Sequence, residues 1–300
     1  MSVHLHTLNN GVWQAGILPD TGAAIALGRV LQDGAWRDVL RPTAEADYGN
    51  VSKASSFIML PWCNRIRDGI LRFEGQQWQL QTAPEDGTAR HGDVRSRAWQ
   101  VDEADEAHII LSFDSARHQN VNFPFHFSAL VEYRLEGSSF IWRLTLKNED
   151  SRRMTGGFGY HPYFVRTDDV ETRIPCDSQF TLVDYLAVGA PEPVEPHVDF
   201  REMRPLADGV FNDLLTHRHP GEPVSIRYPQ WGLGLQMTAD PIFQHILIYT
   251  PPGNPSFAVE PQSNANDGFT LYERGIPDTG VFGLEPGESK SGEVVLAVEA

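Results

Sequence analysis

A chain of 300 residues with 41% hydrophobic and 21% charged side chains carries enough apolar material for a sizeable core and has the composition of a globular protein. The balance of 24 basic against 40 acidic residues leaves a formal net charge of −16, which argues against nucleic acid or an anionic membrane as partner and favours a neutral small ligand. Cys63 and Cys176 form neither a disulfide framework nor a zinc pattern. Met1 to Trp13 lacks a basic segment followed by an apolar one, and no apolar run reaches membrane-spanning length, so the expected setting is the cytoplasm.

Along the chain, Asn50-Val51-Ser52 matches a glycosylation acceptor by chance, given no secretion signal. Ser52 to Leu60 reads as a short helix capped by Ser52 and stopped before Pro61. His108 to Phe113 is strand-like. From Phe127 the pattern has period two: Phe127, Ala129, Val131, Tyr133 and Leu135 alternate with Ser128, Leu130, Glu132 and Arg134. After Glu136-Gly137-Ser138-Ser139, the same rhythm resumes with Phe140, Trp142, Leu144 and Leu146, which predicts a hairpin with one buried face. Ala187 to Pro205, rich in proline and acidic residues, is expected as a long surface loop. Further strands are read at Val224 to Tyr228, Leu233 to Thr238, Ile246 to Tyr249 and Glu293 to Val298. Many short strands punctuated by 26 glycines and 21 prolines predict an all-β fold, a sandwich or barrel with few short helices, in a single domain over residues 1–300.

Two segments stand out for chemistry. Gly156-Gly157-Phe158-Gly159-Tyr160-His161-Pro162-Tyr163-Phe164 sets one imidazole among glycines, a proline and aromatics. Glycines permit backbone angles closed to other residues, Pro162 fixes the chain, and flat aromatic faces suit sugar rings. Phe257-Ala258-Val259-Glu260-Pro261-Gln262 delivers a carboxylate just before a proline, near the expected end of a strand. His161 and Glu260 together are a candidate acid and base pair. Pro61-Trp62-Cys63-Asn64-Arg65-Ile66-Arg67-Asp68-Gly69 offers an Asn–Arg fork of donors, although a solvated turn is the default for such a segment. His91-Gly92 alone is weak evidence. His217 and His219, in a charged loop, read as solvated rather than as metal ligands.

Taken in order, these segments resemble the aldose 1-epimerase (galactose mutarotase) family. Asp38-Val39-Leu40, Pro61 to Gly69, His91-Gly92, Phe123-Pro124-Phe125, Gly159 to Phe164, Val259-Glu260-Pro261 and Asn266-Asp267-Gly268-Phe269 carry the likeness over nearly the whole chain. The resemblance implies a large antiparallel β-sandwich and interconversion of α and β anomers of a free aldose, with no metal and no cofactor. It implies His161 as general acid, Glu260 as general base, and Asn64, Arg65 and His91 as substrate contacts. The family places an aspartate after an apolar residue to bind sugar hydroxyls; the matching stretch here reads Val210-Phe211-Asn212-Asp213-Leu214, so either Asn212 replaces it or Asp213 serves from one position along. Where a glutamine lines the pocket of galactose mutarotases, Leu247 stands in this sequence.

Three rivals share these features. A hexose-6-phosphate epimerase needs a basic pocket, for which Arg65, Arg67, Arg72, Arg90, Arg95 and Arg97 are candidates, but exposure in turns is their default and a neutral aldose is the expected substrate. A silent sugar-binding or sugar-sensing module has no use for an acid–base pair. A glycosidase wants a second carboxylate, for which Asp213 is available. The expected partner is a small sugar, with the chain a monomer or homodimer.

Overall fold

The computed structural model describes residues 4–207 and 209–299, and it is built from antiparallel sheets with one short α-helix, Gly268–Glu273. The alternating segment forms the hairpin Phe127–Glu136 and Ser139–Asn148, with Tyr133 opposite Trp142 and Glu136 opposite Ser139 across a turn in which Gly137 has φ +54°. Its inward-facing apolar residues are buried, Leu130 lies exposed on the other face, and there Arg134 pairs with Glu132, Glu136 and Glu293. One-sided burial fixes the register, because a slip of one residue would turn the apolar set to solvent.

This hairpin supplies the third and fourth strands of a nine-stranded sheet. In spatial order its strands are Gln100–Ala104, His108–Asp114, Phe127–Glu136, Ser139–Asn148, Ser289–Val298, Leu233–Ala239, Val224–Tyr228, Glu171–Arg173 and Arg204–Pro205. A second, eight-stranded sheet runs through Glu192–Pro193, Cys176–Phe180, Asn212–Arg218, His245–Tyr249, Ser256–Gln262, Gly159–Tyr160 and Ile58–Met59, with Tyr163–Val165 also paired to Ser256–Gln262. A four-stranded N-terminal sheet spans His6–Asn9 to Ala35–Asp38. The two large sheets share one apolar cluster, bridged by contacts such as Trp142 with Tyr160, whose rings are 5.3 Å apart. The all-β sandwich expected from sequence is the fold observed.

Three local expectations change. Ser52 to Leu60 is not a helix: a single 3-10 turn, Val51–Lys53, is capped by Asn50, whose side chain accepts from the Ser52 N–H. The chain then extends, exchanging backbone hydrogen bonds between Ser56 and Ile25 before Ile58–Met59 joins the sheet beside Gly159–Tyr160. Sheet pairing outweighs a weak local helix signal. The stretch Ala187 to Pro205 is not a free loop either; it contributes short strands and buries Val198 and Phe200. Glu260 lies inside its strand rather than at the end, since Ser256–Gln262 continues through Pro261.

Candidate active site

The strand Ser256–Gln262 is buried on both faces because it runs in the middle of the eight-stranded sheet. Period two divides its side chains: Phe257 and Val259 enter the main apolar cluster, and Ala258, Glu260 and Gln262 point the other way. The neighbouring strands add to that second face. Leu247 is opposite Glu260, Tyr249 is opposite Ala258, and Asn212 is opposite Tyr249. Together they floor an open cavity of about 250 Å³, whose lining includes Asn64, Arg65, His91, His161, Tyr163, Leu247 and Glu260. That volume lies just under the range of about 300–1,000 Å³ common for drug-sized ligands, and it suits one small polar ring rather than a polymer.

His161 is presented by the short segment between Gly159–Tyr160 and Tyr163–Val165. Its backbone N–H donates to Phe57 O and that of Tyr163 to Ser55 O, and the imidazole is held between the rings of Phe57 and Tyr163, at 4.5 and 4.6 Å. The glycines before it do not have positive φ, contrary to the expectation from sequence. Their role is close approach: a Cβ on Gly159 would lie 2.5 Å from Pro261 O and 2.9 Å from Cys63 Sγ, and one on Gly157 would collide with Asn264 Oδ1. The glycines bring the histidine segment against the strand that carries Glu260. As a result Nε2 of His161 lies 3.1 Å from Oε1 of Glu260, with both side chains almost wholly buried.

The third wall is held by the far end of the chain. Asn264 Oδ1 accepts from the Cys63 N–H, the Asp267 N–H donates to Arg65 O, and Asp267 accepts from both the backbone and the guanidinium of Arg67. This clamp fixes Asn64 and Arg65, with Asn64 at φ +53°. His91, at φ +60°, donates its backbone N–H to Asn64 O, and Gly92 follows where any side chain would strike the Leu60 backbone. Nδ1 of His91 is 3.2 Å from Met59 Sδ; with its proton there, Nε2 offers a lone pair to a ligand. Arg65 is steered by Asp86 at 2.9 Å and lies over the ring of Tyr185.

Burial sets the electrostatics. It pushes the Glu260 carboxyl up to about 8, against an amide hydrogen bond from Gln262 (2.8 Å) and the field of Arg65. It pulls His161 well down, and the positive fields of Arg41, Arg95 and Arg65 act in the same direction. His91 is pulled down by burial and by His161 and the neighbouring arginines. At neutral pH burial thus favours a neutral imidazole on His161 and a protonated, uncharged carboxyl on Glu260, 3.1 Å from each other.

The structure thus gathers His161, Glu260, Asn64, Arg65, His91 and Asn212 around one cavity. It leaves out Asp213. Adjacent strand residues face opposite sides, so with Asn212 in the cavity Asp213 turns toward the face of Leu215 and lies 3.6 Å from His197. Residues passed over in the sequence also line the cavity, namely Phe57, Tyr185 and Tyr249, together with Arg90 and Arg95, which the sequence offered only as candidates for a phosphate pocket. Tyr249 was legible as alternating with buried Ile248, whereas the others sit in irregular segments or, for Arg90, in a two-residue strand too short to give a periodic signal. His217 pairs with Asp278, and His219 with Asp177 and Glu222, on the surface away from this site. A larger groove of about 970 Å³ near Trp99 and His118 is lined by solvent-exposed ion pairs such as His126 with Asp114 and Lys147 with Glu149.

Residues 4–297 match the family model for aldose 1-epimerase. The chain belongs to the aldose 1-epimerase family. Among curated relatives, YphB of Escherichia coli, an uncharacterized protein, is 26% identical over 98% of this chain and 99% of its own length. Among solved structures, a galactose mutarotase-like protein from Clostridium acetobutylicum superposes with a TM-score of 0.85 at 18% identity, covering 99% of both chains. A galactose 1-epimerase from Lactobacillus acidophilus gives 0.76 at 15% identity, covering 98% of this chain and 93% of that one. These structures share the galactose mutarotase-like fold with this epimerase-family chain.

Proposed function

We propose that the protein is a cofactor-independent aldose 1-epimerase, which opens the pyranose ring of an aldose and recloses it with the opposite configuration at the anomeric carbon. One observation carries the reading: a buried imidazole and a buried carboxyl stand 3.1 Å apart on the floor of a cavity that fits one sugar ring. A binding module would gain nothing from a carboxyl held far above its ordinary value, whereas proton exchange near neutrality depends on it.

Ring opening needs a proton delivered to the ring oxygen and another removed from the anomeric hydroxyl. In the charged form of the pair, His161 is the acid and Glu260 the base. The free aldehyde then rotates about its bond to C2 and the ring recloses, with each group reversing its part. Proton transfer within the pair restores the starting state, so no net proton is consumed. Asn64, Arg65 and the Nε2 lone pair of His91 hold hydroxyls, and Tyr163 and Phe57 keep the imidazole from turning. Two-carboxylate glycoside hydrolysis is disfavoured, because Glu260 is the one carboxylate among the described lining residues and Asp213 faces away.

Exchange spectroscopy by NMR on equilibrated anomers tests the assignment directly. Catalysed exchange between the α and β H1 signals, dependent on enzyme concentration, is the expected result. Binding of aldoses without any acceleration of exchange would reduce the protein to a sugar-binding module.

A further inference from the structure

The cavity is more basic than a neutral aldose requires. Arg65, Arg90 and Arg95 all line it, while its one carboxyl, Glu260, is held in the uncharged form by burial. Arg65 and Arg90 sit directly opposite each other on paired strands, an unfavourable placement for like charges. Asp86 and Glu85 offset it: Asp86 binds Arg65 at 2.9 Å and lies 3.8 Å from Arg90, and Glu85 binds Arg90 at 2.6 Å. Two carboxylates therefore answer two of the three guanidinium groups. Arg95 has no carboxylate within salt-bridge distance among the described residues; it rests over the ring of Phe57 at 5.4 Å and is largely buried. Arg41 adds a further cation behind the wall, stacked 3.9 Å from the Tyr163 ring and bonded, among the described residues, only to the backbone oxygens of Ser52 and Ala54. Asn212, on the floor, adds no negative charge to set against them.

We propose that Arg95, flanked by Arg90, forms an anion subsite, and that the aldose taken by this protein carries one anionic substituent (phosphate, sulfonate or carboxylate) on the carbon remote from its anomeric centre. This rests on the epimerase reading of the same cavity and names its substrate class. The placement follows from the sheet. Glu260 is on Ser256–Gln262, and Phe57 leads into Ile58–Met59, two strands further on and so about 10 Å away. A pyranose with C1 at Glu260 covers only part of that gap; an anionic group on its far carbon, met by the Arg95 side chain from the Phe57 side, would cover the rest. The overall charge of −16 repels an anion at long range, but screening confines that repulsion to roughly 8 Å at physiological salt. A direct guanidinium–oxyanion contact acts at hydrogen-bond distance in a partly dry cavity, and there it dominates. This proposal departs from the expectation of a neutral substrate, drawn from arginines scattered in sequence, because the fold brings Arg65, Arg90 and Arg95 to one cavity.

The test compares anomer exchange of glucose with that of glucose 6-phosphate, glucuronate and 6-deoxy-6-sulfoglucose, each assayed with the wild type, Arg95→Gln and Arg95→Lys. At least one anionic aldose is expected to exceed glucose in kcat/KM by tenfold or more, and the three anions distinguish which group the subsite takes. Arg95→Gln is expected to lower the ratio of anionic to neutral kcat/KM at least tenfold, with Arg95→Lys restoring part of it and added salt eroding it in the wild type. Glucose outpacing all three anions, or an unchanged ratio in Arg95→Gln, would overturn the subsite while leaving the epimerase reading intact. Calorimetric titration of Glu260→Gln with the same four sugars keeps the two ideas separable. Tight binding of an anionic sugar to a protein whose wild type exchanges nothing would sink the epimerase reading and sustain the subsite. Failure of every anionic sugar to bind more tightly than glucose would remove the subsite.

Discussion

Replacing Glu260 by Gln removes the group that carries the mobile proton while keeping its outline. The amide oxygen can still accept from Gln262, and the amide nitrogen can donate to His161 Nε2 across the present 3.1 Å. Proton exchange is lost, and the loss of one acid–base group costs about 10²–10⁴ in rate, here expected in kcat with little change in KM. Stability should move the other way. Because the folded-state value is raised from 4.5 to about 8, the native protein holds a proton that the unfolded chain releases anywhere between those pH values. Wild-type stability therefore falls as pH rises through that window, and Gln, which does not titrate, escapes the fall. At about 1.4 kcal/mol per pH unit the penalty reaches on the order of 3 kcal/mol by pH 7, which corresponds to roughly 5 °C in Tm for a chain of this length. Exchange spectroscopy and thermal melts at pH 5, 7 and 8 read both effects. A folded variant losing less than tenfold in kcat would remove Glu260 from the chemistry. A Tm difference that stays constant with pH would show the carboxyl to be ionised throughout, and the reasoning from burial would fail.

The remaining expectations use the same site. In wild type, kcat/KM for exchange should fall about tenfold per pH unit above about 8, as Glu260 gives up its proton, and a profile still level at pH 9.5 would contradict the buried carboxyl's role. His161→Asn should lose kcat by about 10²–10⁴ yet still bind sugar in a calorimetric titration, because the arginine and aromatic walls stay in place; retention of full exchange would end its role as proton carrier. Asn212→Ala should raise KM severalfold, whereas Asp213→Asn, on the opposite face of the same strand, should change KM less than twofold; the reverse order would mean that the strand presents its other face to substrate.

How much of this was legible in the sequence depends on the kind of signal each residue gives. The hairpin Phe127–Glu136 and Ser139–Asn148 was readable almost to the residue because one face is dry and the other wet, so polarity alternates. Glu260 was readable as a functional candidate but was misplaced at a strand end. Pro261 suggested a stop, yet the strand passes through it and still pairs with His245–Tyr249. Asn212 and Asp213 could not be separated without the register that sets Asn212 opposite Tyr249. Arg90 and Arg95 were readable as candidate cations but not as neighbours in one cavity. Arg90 and Arg95 flank His91 and Gly92, whose left-handed backbone angles fold the segment back on itself, and no periodicity announces such a turn. Tyr185 reaches Arg65 from a small hairpin 120 positions away in sequence, a proximity that only the assembled sheets create.

The clamp between Cys63–Arg67 and Asn264–Asp267 bears on how the protein acquires activity. It joins segments separated by about 200 residues, and the floor of the cavity belongs to the C-terminal partner of that union. Contacts of such long sequence separation form late, because a large loop must close before they contribute. During synthesis the imidazole emerges well before the carboxyl it needs, so a nascent chain can possess most of its strands and no proton relay. In refolding from denaturant, recovery of β-sheet circular dichroism should accordingly precede recovery of turnover, and the lag measures the docking of these two distant segments.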